Sequence, residues 1–161
     1  MRDDAVLTLQ RVLLAAEGLR APPAHWMQVL DATLMPMLAE LGDRCRRERN
    51  DRTAVERTAR LALSAVAKTF LQYLGAMLSS ATPAQFAAAW VAVLDRMEAL
   101  LKNAKSEELI EAVPEAVKNM LLVMSAQGVL APGAPQGLWE TTWKRAAAID
   151  PGLTPAIVGA K

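Results

Sequence analysis

Few side chains in this 161-residue sequence can do covalent chemistry, and their placement argues against most of it. His25 is the only histidine and Cys45 the only cysteine, too far apart along the chain to form a metal-ligand spacing. A Ser-His-Asp or Cys-His arrangement would have to use His25. That residue follows Pro22 and Pro23 and precedes Trp26 at the start of an expected helix, where a surface or packing role is the simpler reading. Gly133 and Gly137 lack the flanking strand and the lysine of a phosphate loop. One carboxylate cluster exists: Glu107, Glu108, Glu111 and Glu115. At helical spacing Glu108, Glu111 and Glu115 share a face that Lys118 continues. Paired carboxylates can do acid–base work only in a pocket that perturbs them, so a solvated face is the expectation. No catalytic residue, metal or cofactor is expected.

Binding chemistry has better candidates. Residues 43–52 (DRCRRERNDR) hold five arginines and three acids, so Arg46, Arg47 and Arg49 are candidates for an anionic-lipid or phosphate contact. The acids dilute that field, and a solvated loop is the simpler reading. Aromatics dominate interface energetics when exposed. Trp26 and Trp90 fall on apolar stripes and are expected in the core, whereas Trp139 and Trp143, one turn apart in the last helix, are evenly balanced between core and surface. The candidate partner-binding residues are thus Trp139, Trp143, Arg46, Arg47 and Arg49.

Helices must position all of these. Apolar residues make up 53% of the chain, much of it alanine, which favours helix but buries little side chain. The formal charge is +1 and the pI near 7.9, which offers no basic field for nucleic acid. A single cysteine excludes an internal disulfide framework and suits a reducing compartment. No apolar run approaches the roughly 18 residues of a membrane span, and the start, MRDDAVLTL, has acids where a signal peptide would not.

The periodicity predicts six helices. The first covers 4–19, with Val6, Leu9, Leu13 and Ala16 on one face, widened by Leu7 and Leu14, and ends at Gly18 and the Pro22-Pro23 pair. The second covers 23–42, is interrupted at Pro36 and closes at Gly42. Thr53 with Glu56 reads as a capping box opening a third helix that runs to about Leu78. Thr82-Pro83-Ala84-Gln85 opens the fourth in the same way, with Phe86, Trp90, Val93, Leu94, Met97 and Leu101 as its stripe. Ser106 caps the fifth, in which Pro114 removes the bond to Ile110 and is expected to kink or split the helix before it stops at Gly128; its second half, Met120 to Met124, is apolar all round and is expected to be covered on several sides as the centre of the fold. The sixth covers about 138–149. Stacked as antiparallel pairs, these make an all-α chain, an α-solenoid of HEAT or armadillo type whose repeats take about 40–47 residues. Residues 1–155 are expected to form a single helical-repeat domain and 156–161 a tail.

Four segments taken together resemble a known family: HWMQVLDATLMPMLAEL (25–41), FAAAWVAVLDRMEALL (86–101), SEELIEAVPEAVKNMLLVMSAQGVL (106–130) and LWETTWKRAAAIDPGL (138–153). They are similar to the extreme C-terminal region of the large Arf guanine-nucleotide exchange factors of the Golgi-specific, brefeldin-A-resistance (GNOM/Gea) class. EAVPEAVKNMLLVM followed by LWETTW is the most specific part, and the resemblance covers roughly residues 5–153. It implies a HEAT-like block downstream of the catalytic Sec7 domain, itself resembled by no segment here, so the chain is expected not to catalyse exchange. It also implies a cytosolic protein peripheral to the Golgi membrane. Its partners would be the rest of the exchange factor or a homologous chain, with an Arf-family GTPase engaged indirectly.

Three functions compete on these grounds. The first is a non-catalytic regulatory or scaffold module of an Arf exchange factor in Golgi vesicle trafficking. The second is an independent α-solenoid adaptor outside the Arf pathway, since fold does not carry function by itself. The third, a small enzyme using the glutamate face, would be removed if Glu111→Gln and Glu115→Gln cost no activity.

Overall fold

The computed structural model describes residues 3–15, 23–48 and 50–159, and their regular structure is helical throughout. In chain order the elements are α1 (Asp3–Ala15), α2 (Pro23–Val29), a π-helical turn (Leu30–Leu34), α3 (Met35–Arg47), α4 (Arg52–Gln72), α5 (Leu74–Ser80), α6 (Pro83–Asn103), α7 (Glu107–Ala126) and α8 (Leu138–Ile149). Short 3-10 turns, Pro135–Gly137 and Pro155–Val158, precede and follow α8. The expected end of the first helix at Gly18 and Pro22 lies outside the described residues, as do Arg49 and positions 160–161.

Six helices make two layers. In one, α6 packs between α3 and α8; in the other, α4 packs between α1 and α7. The consecutive pairs α3–α4 and α6–α7 join the layers. Helices α3, α4, α6 and α7 therefore each meet a chain neighbour across the layers and an equivalent helix of the next pair within their own layer, which is the arrangement of an all-α solenoid. Equivalent helices run parallel: Glu56 near the start of α4 bonds the backbone at the start of α7, and Trp90 and Asp95 of α6 meet Thr142 and Arg145 of α8 in the same order.

Local chemistry explains most boundaries. The Thr82 capping box forms: the Gln85 amide donates to Thr82 Oγ1 at 3.1 Å and the Thr82 amide to Gln85 Oε1 at 2.9 Å. Ser106 Oγ accepts from the Leu109 amide, and Glu107 and Glu108 occupy the first turn of α7. Gly128, at φ 76°, takes the left-handed conformation that follows a helix end.

Other boundaries differ from the sequence reading. Pro36 does not interrupt the second helix. The preceding turn widens instead, with the Met35 amide bonding Leu30 O, and this accommodates a ring that cannot donate. Gly42 does not close it either, because Leu38, Leu41 and Cys45 keep one buried stripe across the glycine and carry α3 on to Arg47. Half of the expected charged loop is thus the last turn of α3, where Arg44, Arg46 and Arg47 complement the helix dipole. Thr53 caps nothing; α4 begins at Arg52, and Glu56 points inward. The third helix breaks at Tyr73, where α4 and α5 diverge by 61°. The break lets α5 pack on α2, and the Tyr73 ring stacks on Trp26 at 3.4 Å between centroids.

The fifth helix, α7, stays unbroken through Pro114 but is not the centre of the molecule. Val113, Val117, Met120, Leu121 and Met124 are buried, whereas Ile110 and Leu122 are 42% and 37% exposed. Helices α4 and α6, each flanked on both sides within its layer, hold the centre: Phe70 lies against Trp90 at 5.4 Å, with Phe86 beyond it at 6.2 Å. Burying each such large side chain stabilises the fold by about 1.5–3 kcal/mol.

Candidate functional site

The α8 tryptophans are anchored before they are available. Trp90 Nε1 in α6 donates to Thr142 Oγ1 at 2.9 Å, and Arg145 pairs with Asp95 at 2.6 Å, which fastens α8 to α6. Trp143 is buried and packs edge-on to the half-buried Trp139 at 5.4 Å. Trp143 is therefore a core residue, which corrects its candidacy as a free contact surface; Trp139 keeps an accessible edge. Trp26 and Trp90 are buried, as their stripes require.

Arg46 and Arg47 are exposed at the end of α3. Arg46 pairs with Asp43 at 3.2 Å, and Arg47 Nε donates to the Asp43 carbonyl at 3.4 Å. The structure does not bring them to the tryptophans. Arg52 Nη2 donates to Asn103 O at 2.8 Å, so the α3–α4 corner sits at the C-terminal end of α6, whereas Thr142 places the start of α8 near the other end. The sequence-predicted contact residues thus form two separate patches.

That corner holds a carboxylate whose position the sequence concealed. Glu56 is 3% exposed, and its Oε1 accepts the amides of Lys105 at 2.6 Å and Ser106 at 3.0 Å. Arg52 Nε lies 3.5 Å from Oε2. A motif read as a local cap is instead a long-range clamp that fixes the turn between α6 and α7. Burial, with Glu56 second, pushes the nearby Cys45 thiol up, so it is a weak nucleophile. His25 is exposed and edge-on to Trp26. Among the described residues no three His, Cys, Asp or Glu side chains group as metal ligands.

The glutamate cluster acquires a setting that periodicity alone did not reveal. Glu108, Glu111 and Glu115 form one wall of a groove of about 610 Å³ between α4 and α7; Arg60 and Lys68 form the other. Leu63, Leu71, Ala112 and Ala116 line its floor. All five charged side chains are exposed, and none takes part in an ion pair or hydrogen bond among the described residues. This geometry suits binding better than catalysis, since water reaches every carboxylate. No single described helix is long and apolar enough to cross a membrane; α4 and α5 pass that test only together, across their 61° bend.

Comparison with known proteins identifies the scaffold. The family described as "GBF1-like, tetratrico peptide repeat region" matches residues 1–153. The chain is 34% identical over 160 residues to the ARF guanine-nucleotide exchange factor GNOM of Arabidopsis thaliana, covering 95% of this chain and 11% of that protein. It is 35% identical to the exchange factor GNL1 of the same plant, again over 95% of this chain and 11% of the relative. A third relative is the Golgi-specific brefeldin A-resistance guanine nucleotide exchange factor 1 homolog of Caenorhabditis elegans, 35% identical over 90% of this chain and 7% of its own length. The chain thus spans about a tenth of the first two relatives and less of the third. No solved structure matches. Tetratricopeptide and HEAT repeats both stack helix pairs, so the family description agrees with the two layers. By sequence and by architecture, the chain belongs to the GBF1-like tetratrico peptide repeat region family, a helical region that occurs within large ARF guanine-nucleotide exchange factors.

Proposed function

We propose that this chain is a non-catalytic helical module of an ARF guanine-nucleotide exchange factor, packing against the remainder of that factor or a homologous chain and helping to hold it at the cytosolic face of the Golgi membrane. The observation that carries the reading is the match over 95% of this chain to a small part of much longer exchange factors. The relative named as Golgi-specific supports the location. Residues 1–155 act as a single unit in this reading, an Arf-family GTPase is engaged only indirectly, and any membrane contact is peripheral.

An unpartnered flank of α1 offers a place for the packing. Among the described residues α1 rests chiefly on α4, and Leu7 and Val12 are 42% and 57% exposed. A helix that keeps apolar residues outward offers a neighbouring repeat or partner a surface to cover. On α8, Trp139 is the corresponding candidate, with Arg46 and Arg47 on the α3–α4 corner as candidates for an anionic contact.

The test is co-purification of the tagged chain with the remaining exchange factor, alongside a Leu7→Asp/Val12→Asp variant. Recovery with the native chain and loss with the variant, at unchanged melting temperature, is the expected result. Failure of the native chain to recover any exchange factor, with localisation away from Golgi markers, overturns the reading in favour of an independent adaptor.

A further inference from the structure

We propose that the groove between α4 and α7 is a docking site for an amphipathic α-helix of a protein partner, with basic residues along one edge of its apolar stripe and acidic residues along the other. The inference rests on the groove itself and holds whether or not the chain works inside an exchange factor.

The floor sets the shape of the guest. Ala67 on α4 and Ala112 and Ala116 on α7 stand where larger side chains would close the seam between the two helices. With alanine there, leucine-sized side chains of a third helix can enter between the ridges of α4 and α7, the geometry by which helices pack on one another. The partly exposed Leu71 supplies apolar surface beneath, with the buried Leu63 packed behind it. On α7 the groove reaches from Glu108 to Asn119, roughly 16 Å at the helical rise and therefore about three turns.

The walls set its charge. Arg60 and Lys68 lie two turns apart on α4, while Glu108, Glu111 and Glu115 follow one face of α7. Opposite charges confront each other across the floor, yet none of the described ion pairs crosses it; both rows remain solvated. A guest that expels this water must replace it with counter-charge, because desolvating an unmatched charge is costly. A helix acidic on both edges opposes the glutamates; one basic on both edges opposes Arg60 and Lys68. Only a helix of mixed edges satisfies both walls, and its polarity fixes which way it lies. The three carboxylates also make the groove a poor seat for anionic lipid headgroups.

The experiment presents the folded chain to a displayed library of helices of about 15 residues with a fixed leucine stripe and randomised flanking positions. The expected enrichment is of sequences with lysine or arginine on one edge and aspartate or glutamate on the other. A synthetic peptide of the enriched sequence should bind saturably and lose about tenfold or more in affinity to a Glu111→Lys/Glu115→Lys variant. That variant should bind instead a peptide whose basic edge has been made acidic, a gain that misfolding cannot produce. Filling the floor with Ala116→Trp should abolish binding of both peptides without lowering the melting temperature. Three results would overturn the proposal. They are enrichment no greater than on the Ala116→Trp variant, enriched edges without the mixed-charge pattern, or binding through Lys68 to phosphatidylserine vesicles in place of any peptide.

Discussion

At the scale of single residues, Glu56 carries more of the structure than any side chain proposed for contact. Its carboxylate is buried, accepts two backbone amides and faces Arg52, so removing it leaves two donors unsatisfied and takes the counter-charge from Arg52, which keeps its bond to Asn103 O. Glu56→Ala is expected to cost about 3 kcal/mol, since it leaves two backbone amides unsatisfied and takes the counter-charge from a partly buried Arg52. Glu111→Ala, on the exposed groove wall, should stay within about 0.5 kcal/mol. Urea titration of both variants checks the contrast, and equal losses would refute the clamp. The contrast also shows what was legible. The stripes placed Trp26 and Trp90 in the core because periodicity reports which face of a helix is apolar. The role of Glu56 is hidden from the sequence because Thr53-x-x-Glu56 satisfies a local motif, while its actual partners, Lys105 and Ser106, lie in another turn that no local rule connects to it. The burial of Trp143 is not legible for a related reason: a helix stripe does not say whether anything covers it.

At the scale of elements, the two prolines show how a helix absorbs an imposed defect. Before Pro36 the backbone opens into a π turn and continues; at Pro114 the helix runs on with α4 and α6 packed along it. A proline therefore announces a missing donor without saying whether the chain will break, and tertiary packing decides. The break that does occur, at Tyr73, has no proline and lay within an apolar run that periodicity treated as one helix. In α7 the apolar Met120 to Met124 run suggested cover on several sides, yet one side stays open. Leu121 is fully buried and its neighbour Leu122 is 37% exposed. Leu121→Asp should therefore cost several kcal/mol by burying an unpaired charge, while Leu122→Asp should cost under about 1 kcal/mol. Thermal or urea unfolding of the two variants measures the difference, and a reversed order would mean that α7 presents another face to α4 and α6.

At the scale of the whole molecule, an array in which each helix leans on its neighbours is weakest at its ends. Such an array is a sum of local units and nearest-neighbour interfaces, so an end helix can open without the rest. Among the described residues helix α1 is held in this way from one side: its principal packing is on α4, and a polar tie reinforces it. Asp3 accepts from Thr58 Oγ1 and pairs with Arg57 Nε at 2.6 Å. The hydrogen bond from Thr58, followed by that from Arg57, holds the Asp3 carboxyl below its ordinary value of 3.8. A folded-state value below the unfolded one means that ionised Asp3 stabilises the docked helix above about pH 4, and that this contribution disappears as pH falls through the folded value. The protection of α1 amides, taken relative to the intrinsic exchange rate at each pH, should accordingly fall on acidification from pH 5 to about pH 3 while α4 and α6 remain protected, and Asp3→Asn should produce the same α1 opening at neutral pH. Mass-resolved hydrogen exchange reads both. If α1 and α6 instead opened together under acid, the chain would be unfolding as one cooperative body, and the account of α1 as a helix held from one side, with Leu7 and Val12 exposed, would lose its physical basis.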